Sequence, residues 1–215
     1  MNSPSTVDAY ILIGGRSHRL GRDKASAMLA GETLAQRAYR TVSEALPASR
    51  VTFVAGYEAQ FAIEAIAAGG RFIFDLITDR GPLGGLHAAL ADAQTPWIFV
   101  LACDYPFVTP DLVRSIAKQI SNDHGAAVPM QQDGRLQPLC AFYKVEMARP
   151  LVQQIIDRPR VPPPLREVVA DLNPRIVESA EFADLAASDA FFTNINTADD
   201  LDLALEIERK LSAKK

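Results

Sequence analysis

Two stretches of this chain carry the residue types that handle phosphates. In YILIGGRSHRLGRDK, residues 10–24, a hydrophobic run ends in Gly14 and Gly15. Five basic or potentially basic side chains then follow within nine positions: Arg16, His18, Arg19, Arg22 and Lys24. Glycines allow a tight turn and a close approach of backbone N–H groups to an anion, and the cations after them supply charge. A polyphosphate suits such a loop; a glycine turn with a solvated basic face is the alternative. Gly21 is followed by Arg-Asp-Lys-Ala, so the G-x-x-x-x-G-K-[ST] pattern fails, and the spacing from Gly14-Gly15 to Gly21 also fails G-x-G-x-x-G. The second stretch, WIFVLACDYPFVTPDL, places Asp104 where the most apolar run of the chain ends. A carboxylate beside that much apolar surface needs a partner, and a divalent cation shared with substrate phosphates would provide one. A loop aspartate capping the turn before Pro106 is the competing reading.

Other candidates are less pointed. Asp75 ends another short apolar run, Asp79 follows, and GPLGGL (81–86) opens a helix with residues small enough for a ligand to approach the backbone. Asn194 and Asn196 alternate in FTNINT. On a strand they would face one side, toward a metal, phosphate or hydroxyl, or they could be satisfied turn residues. His18, His87 and His124 lack metal-ligand spacing, and Cys103 has no nearby base to make it a nucleophile.

These residues need a frame, and the hydrophobic pattern supplies one. Strands are predicted at 7–13, 51–56, 71–75 and 97–104, with helices at 31–46, 58–70, 83–93 and 109–120 between and after them. Thr109, Pro110 and Asp111 form a helix start. The alternation implies parallel strands joined by right-handed crossovers, and strands without in/out alternation fit a sheet covered on both faces. The fold class is therefore α/β, a doubly wound, mostly parallel sheet with helices on both faces. Further on, 126–130 and 137–144 read as strands joined through QQDGR, 145–156 as a helix, and DRPRVPPPL (157–165) as an exposed connection. FFTNINTADDLDLALEIERKL (191–211) reads as a strand followed by a helix, with Thr197 and Asp200 resembling a capping box.

Composition sets the limits. The 215 residues, 48% hydrophobic, suit one globular domain spanning 1–215, with net charge −4. Bulk electrostatic attraction to nucleic acid or to a membrane surface is not expected of an acidic chain, so an anion must be caught by a local cluster. Cys103 and Cys140 read as reduced core thiols of a cytoplasmic protein. No apolar stretch approaches the ~20 residues that span a bilayer, and the polar start does not read as a secretory signal.

The segment LIGGRSHRLGRDKA (12–25) resembles the L-A-G-G-x-S-x-R-M-G-x-D-K signature of the molybdenum cofactor guanylyltransferases. GETLAQRA (31–38), DRGPLGGLHAAL (79–90), LACDYPFVTPDLV (101–113), QPLCAFYK (137–144) and FTNINTADDL (192–201) continue the likeness in family order. The resemblance implies a Rossmann-like nucleotidyltransferase that transfers GMP from GTP to molybdopterin, with Mg2+ as cofactor. It implies a nucleotide-binding half, 1–120, and an acceptor-binding half, 121–215, and leaves room for transient contact with cofactor-delivery or molybdoenzyme proteins.

By matched position it implies nucleotide contacts at Leu12, Ile13, Gly14, Gly15, Lys24, Asp75 and Asp104. Lys24, Arg19 and Asp104 would act in catalysis, Asp104 as the metal ligand, and Asn194 and Asn196 on the acceptor side. Ile13 stands for the usual alanine and Leu20 for methionine. The choice of Asp75 over Asp79 rests on spacing to GPLGG. A cytidylyltransferase or a sugar- or polyol-phosphate nucleotidyltransferase of the same fold is the alternative, and the Gly14-Gly15 pair, where cytidylyl relatives more often resemble A-A-G, is the discriminator. A nucleotide-binding regulatory module is a third reading, opposed by the strand-end carboxylate.

Overall fold

The computed structural model describes residues 7–13, 24–56, 70–77, 79–158 and 161–213. Gly14, Gly15, Arg16, His18, Arg19, Arg22 and nearly all of the helix expected at 58–70 lie outside these residues. The strands in chain order are β1 (Asp8–Leu12), β2 (Met28–Leu29), β3 (Glu32–Thr33), β4 (Val51–Ala55), β5 (Arg71–Phe74), β6 (Trp97–Ala102), β7 (Ala126–Pro129), β8 (Cys140–Lys144) and β9 (Arg175–Val177). The helices are α1 (Leu34–Ala45), α2 (Pro82–Asp92), α3 (Pro110–Ala117), α4 (Val145–Ile156), α5 (Leu165–Ala170) and α6 (Ala198–Ser212).

Seven strands form one sheet in the order β5-β4-β1-β6-β8-β7-β9, and β2 pairs with β3 in a small hairpin. β8 is antiparallel to both its neighbours, while the other six run the same way. Both faces of the sheet are covered, which is why its inner strands are apolar throughout. Ala9, Ile11, Phe99, Leu101, Cys140 and Phe142 point into one core with α1 and α3. Tyr10, Leu12, Ile98, Val100, Ala141 and Tyr143 point into the other, under α2, α4 and α5.

Local chemistry sets the element ends. The helix predicted from residue 31 begins at Leu34 instead. Ala30 (φ 52°) and Gly31 (φ 86°) turn the β2–β3 hairpin, and Thr33 then caps α1 in a reciprocal box with Gln36. Thr109 caps α3 with Pro110 in its first turn, and Thr197 forms a capping box with Asp200 on α6, both as the sequence suggested. The strand expected over 137–144 starts only at Cys140. Pro138 and Leu139 form a turn, closed by the Cys140 N–H donating to the Gln137 carbonyl at 3.0 Å. No strand forms at 191–196, which corrects the strand geometry expected for Asn194 and Asn196. That segment is tied to the sheet by one backbone bond, from the Ile195 N–H to the Asp104 carbonyl (3.1 Å), with Phe191 and Ile195 buried.

Candidate active site

From β1 the chain passes to β4 and β5 on one side, then returns to place β6 on the other side of β1. A crevice opens beyond the carboxyl ends of strands at such a reversal. Leu12 and Ala102 end their strands side by side, and the Cys103 N–H donates to the Leu12 carbonyl at 3.1 Å. Asp104 therefore stands at the mouth of this crevice.

Lys24 reaches the same point from a short 3-10 turn, Lys24–Ser26, anchored by the fully buried Ala25 and by the Ala27 N–H donating to the Lys24 carbonyl. Its Nζ donates to Asp104 Oδ2 at 2.6 Å and to Asn196 Oδ1 at 2.7 Å. The two charged side chains are only 16% and 17% exposed, so the pair is shielded enough for its charges to count. Asp104 Oδ1 is buried and has no hydrogen-bond partner among the described residues. Asn196 thus meets a proposed catalytic lysine directly, 172 positions away in sequence; both Asn194 and Asn196 are exposed. The Asn196 N–H donates to Asp200 Oδ2 at 2.8 Å, so the start of α6 holds its backbone in place.

Asp75 follows β5, held by its N–H donating to the Ala55 carbonyl (3.0 Å). Burial pushes its carboxyl up to about 6, with the His87 charge opposing. Its Oδ2 would lie 3.5 Å from a side-chain carbon at Gly84, and Leu12 would lie 3.2 Å from one at Gly85. The approach at Gly85 is the tight one, so that glycine makes room for Leu12, while 3.5 Å at Gly84 is an ordinary contact. Asp79, by contrast, is exposed in a left-handed turn (φ 61°). Leu12 and Ile13 are buried, and the Ile13 N–H donates to the Val54 carbonyl at 2.9 Å.

Sequence reasoning missed a polar relay behind Asp104. The Tyr105 hydroxyl donates to Gln137 Oε1 (2.9 Å), and Gln137 Nε2 donates to Gln131 Oε1 (2.8 Å). Burial, followed by the Asp104 charge, raises the Tyr105 hydroxyl well above its ordinary range, so it stays protonated. Gln137 at the polar head of QPLCAFYK was the available signal. His87 is a core residue whose Nε2 meets Gln153 Oε1 on α4 at 2.7 Å, and His124 lies against the Asn173 carbonyl. Cys103 and Cys140 are buried free thiols, and burial pushes Cys140 far up. Among the described residues no three His, Cys, Asp or Glu side chains cluster to hold a metal, and no helix is long and apolar enough to cross a membrane.

Known proteins share both sequence and fold with this one. Residues 9–174 match the MobA-like NTP transferase domain. A probable molybdenum cofactor guanylyltransferase of Pelotomaculum thermopropionicum is 32% identical over 89% of this chain and 88% of its own. A molybdenum cofactor guanylyltransferase of Desulfosudis oleivorans is 28% identical over 92% and 94%. The crystal structure of molybdopterin-guanine dinucleotide biosynthesis protein A from Archaeoglobus fulgidus superposes with a TM-score of 0.74 at 26% identity, covering 95% of this chain and all of that one. A 2-C-methyl-D-erythritol 4-phosphate cytidylyltransferase from Thermus thermophilus shares the fold at 21% identity, with a TM-score of 0.65 over 95% of this chain and 99% of its own. Sequence and fold match nucleotidyltransferases over most of the chain, and the protein belongs to the MobA-like NTP transferase family.

Proposed function

We propose that this protein transfers GMP from GTP to the terminal phosphate of molybdopterin, forming molybdopterin guanine dinucleotide and releasing pyrophosphate. The observation that carries the reading is the meeting of Lys24, Asp104 and Asn196 at the β1/β6 crevice. An oxygen of the acceptor phosphate attacks the α-phosphorus in line as the bond to the β-phosphate bridging oxygen breaks. Positioning and charge stabilisation are the protein's main work in such a step. Leu12, Ile13, Gly14 and Gly15 border the guanine and phosphates from the end of β1, and Asp75 faces the ribose. Lys24, together with Arg19 and the loop N–H groups, takes the charge of the departing pyrophosphate.

Asp104 fits a hard cation: it offers a carboxylate with one buried, unpartnered oxygen at a strand end. With no acidic cluster among the described residues, the remaining ligands would be nucleotide phosphates and water, the habit of Mg2+. When bound there, the ion supplies charge neutralisation at the α-phosphate. Residues 1–120 form the nucleotide half and 121–215 the acceptor half of one catalytic unit, working in the cytoplasm. Asn194 and Asn196 border the seam between the halves.

The test is pyrophosphate release with molybdopterin and Mg2+, comparing GTP, CTP and ATP. GTP is expected to be used at least tenfold better than the others. Preference for CTP would replace this reading by the cytidylyl alternative, and absence of turnover with every nucleotide would leave a binding module.

A further inference from the structure

Asp104 stands on a turn whose own backbone bonds are long. The Tyr105 N–H reaches the Ala102 carbonyl at 3.4 Å, and the Val108 N–H reaches the Tyr105 carbonyl at 3.3 Å. Both distances lie beyond the usual range, where such bonds hold direction weakly. Further on, the buried Phe107 and Val108 pin the far end of the turn by packing. The Asp104 carbonyl accepts the Ile195 N–H at 3.1 Å. A carboxylate that must present its oxygens in one direction needs a firmer support than these.

The firmer tie comes from the neighbouring side chain. The Tyr105 hydroxyl donates to Gln137 Oε1 at 2.9 Å, and Gln137 Nε2 donates to Gln131 Oε1 at 2.8 Å, so both ends of the Gln137 amide are engaged. We infer that Tyr105 and Gln137 are positioning residues for the transfer reaction: their bond fixes the turn and so aims the Asp104 carboxylate. The inference rests on the GMP-transfer reading for what Asp104 does and on the hydrogen-bond geometry for what holds it.

The anchor is rigid. Gln137 is 7% exposed, its N–H donates to the Pro129 carbonyl at the end of β7 (2.9 Å), and its carbonyl accepts from Cys140 at the start of β8 (3.0 Å). Tyr143, fully buried on β8, ties the next residue of that turn by donating its hydroxyl to the Pro138 carbonyl at 2.6 Å. On its other side the Tyr105 ring meets Phe192 edge to face, with centroids 6.1 Å apart. Phe192 in turn sits edge-on against the fully buried Phe191. Burial, followed by the Asp104 charge, keeps the Tyr105 hydroxyl protonated, so the donor persists across the working pH.

Packing alone does not call for this pair. Phenylalanine at 105 and methionine at 137 would occupy much the same space without desolvating two polar groups. What the polar pair adds is direction: it permits one placement of the turn relative to the β7–β8 turn, where an apolar contact would tolerate several.

Tyr105→Phe keeps the ring and removes the donor. It is expected to lower kcat about tenfold, short of the ~10²-fold that a 1 Å misplacement can cost, with KM for GTP within about twofold. Mn2+ binding, counted by EPR with non-hydrolysable GTP and CTP analogues in parallel, gives a readout without turnover. With the GTP analogue the variant is expected to bind Mn2+ about tenfold more weakly. Tyr105→Phe combined with Gln137→Met removes both partners. This pair of changes should recover most of the melting temperature lost in the single variant and none of the lost kcat. On an Asp104→Asn background, Tyr105→Phe should lower kcat by no more than about twofold further, because its route through Asp104 is gone.

Mn2+ affinity unchanged by Tyr105→Phe with either analogue, recovery of kcat together with stability in the combined variant, or a full tenfold further loss on the Asp104→Asn background would each overturn the inference. If Tyr105→Phe weakens Mn2+ binding only with the CTP analogue, and GTP supports no transfer, the positioning role stands and the GMP-transfer reading fails.

Discussion

Asp75→Asn should make this protein more stable and less active. The Asp75 side chain has lost water on folding, and its carboxyl is pushed from 3.8 to about 6. The full cost of that change to the ionised folded state is at most ~3 kcal/mol. Residual water around a half-buried side chain and the nearby first turn of α2 recover part of it, leaving ~1–2 kcal/mol. A folded-state carboxyl that is less acidic than the unfolded one binds its proton more tightly when folded. Its ionisation therefore removes stability as pH rises from ~4 to ~6, and the loss is complete above that window.

Asparagine keeps the shape and discards the charge. At pH 7.5 the variant should melt about 2–8 °C higher than the wild type, given ~2–4 °C per kcal/mol for a chain of this length. The gain should shrink toward zero near pH 4, where both versions are uncharged. Calorimetric scans at the two pH values measure this directly. An equal gain at both, or a lower melting temperature at pH 7.5, would refute the argument that desolvation of Asp75 is an unrelieved cost. Weaker GTP binding by the same variant would show what the cost is kept for.

Asp104→Asn and Lys24→Met should each lower transfer by ~10²–10³-fold, the usual loss when a charge aimed at developing transition-state charge is removed. The double variant should be little worse than either, because the two groups act together; multiplied losses would show independent roles. At the opposite end of the sheet, Asp8 is 4% exposed, takes a two-pronged bond from Arg50 (3.2 and 3.0 Å), and accepts from the Gln94 N–H (2.8 Å). Asp8→Asn should cost ~1–2 kcal/mol of stability in urea while kcat stays within twofold, since it weakens a two-pronged ion pair far from the crevice and leaves Arg50 with Asp92 (3.3 Å) as its remaining counter-charge. In the same network Arg71 beside Asp92 holds that carboxyl below its ordinary range. Its contribution is present above pH ~4 and is lost as pH falls through the lowered value, a loss that Asp92→Asn should abolish in acid melts. Thr197→Ala removes the α6 cap and should cost ~1 kcal/mol, seen as a melting temperature ~2–4 °C lower.

What the sequence could reveal about this fold followed burial. β1, β4 and β6 are covered on both faces and so appear as apolar runs, and Thr109 and Thr197 announce their helices by local hydrogen bonding alone. β9 is three residues long and β2 and β3 are two each, too short for any period to register. FTNIN imitates strand alternation for a physical reason. It lies across the end of β6 with Ile195 inward and its asparagines outward, but a single backbone bond is not a ladder. Lys24 and Asp104, 80 positions apart, were legible as a pair only through topology, because both follow strands that become neighbours. The Lys24–Asn196 bond and the Tyr105–Gln137–Gln131 relay had no comparable rule behind them, for neither joins strand ends whose adjacency a doubly wound order dictates.

The contact of Lys24 with Asp104 also bears on how the site begins its work. At 2.6 Å the ammonium neutralises the Asp104 carboxylate at the crevice mouth, and Asn196 also accepts from it, at 2.7 Å. A triphosphate arriving at the end of β1 competes with Asp104 for that ammonium. If it wins, the carboxylate is left buried with two unpaired oxygens, a costly state unless a cation arrives with the nucleotide. Nucleotide and cation binding should therefore be strongly coupled, each raising the other's affinity by the same factor. Lys24→Met removes the competitor, so cation affinity measured without nucleotide should rise in that variant while the coupling falls. An unchanged cation affinity would mean that Lys24 and the ion do not contend for Asp104.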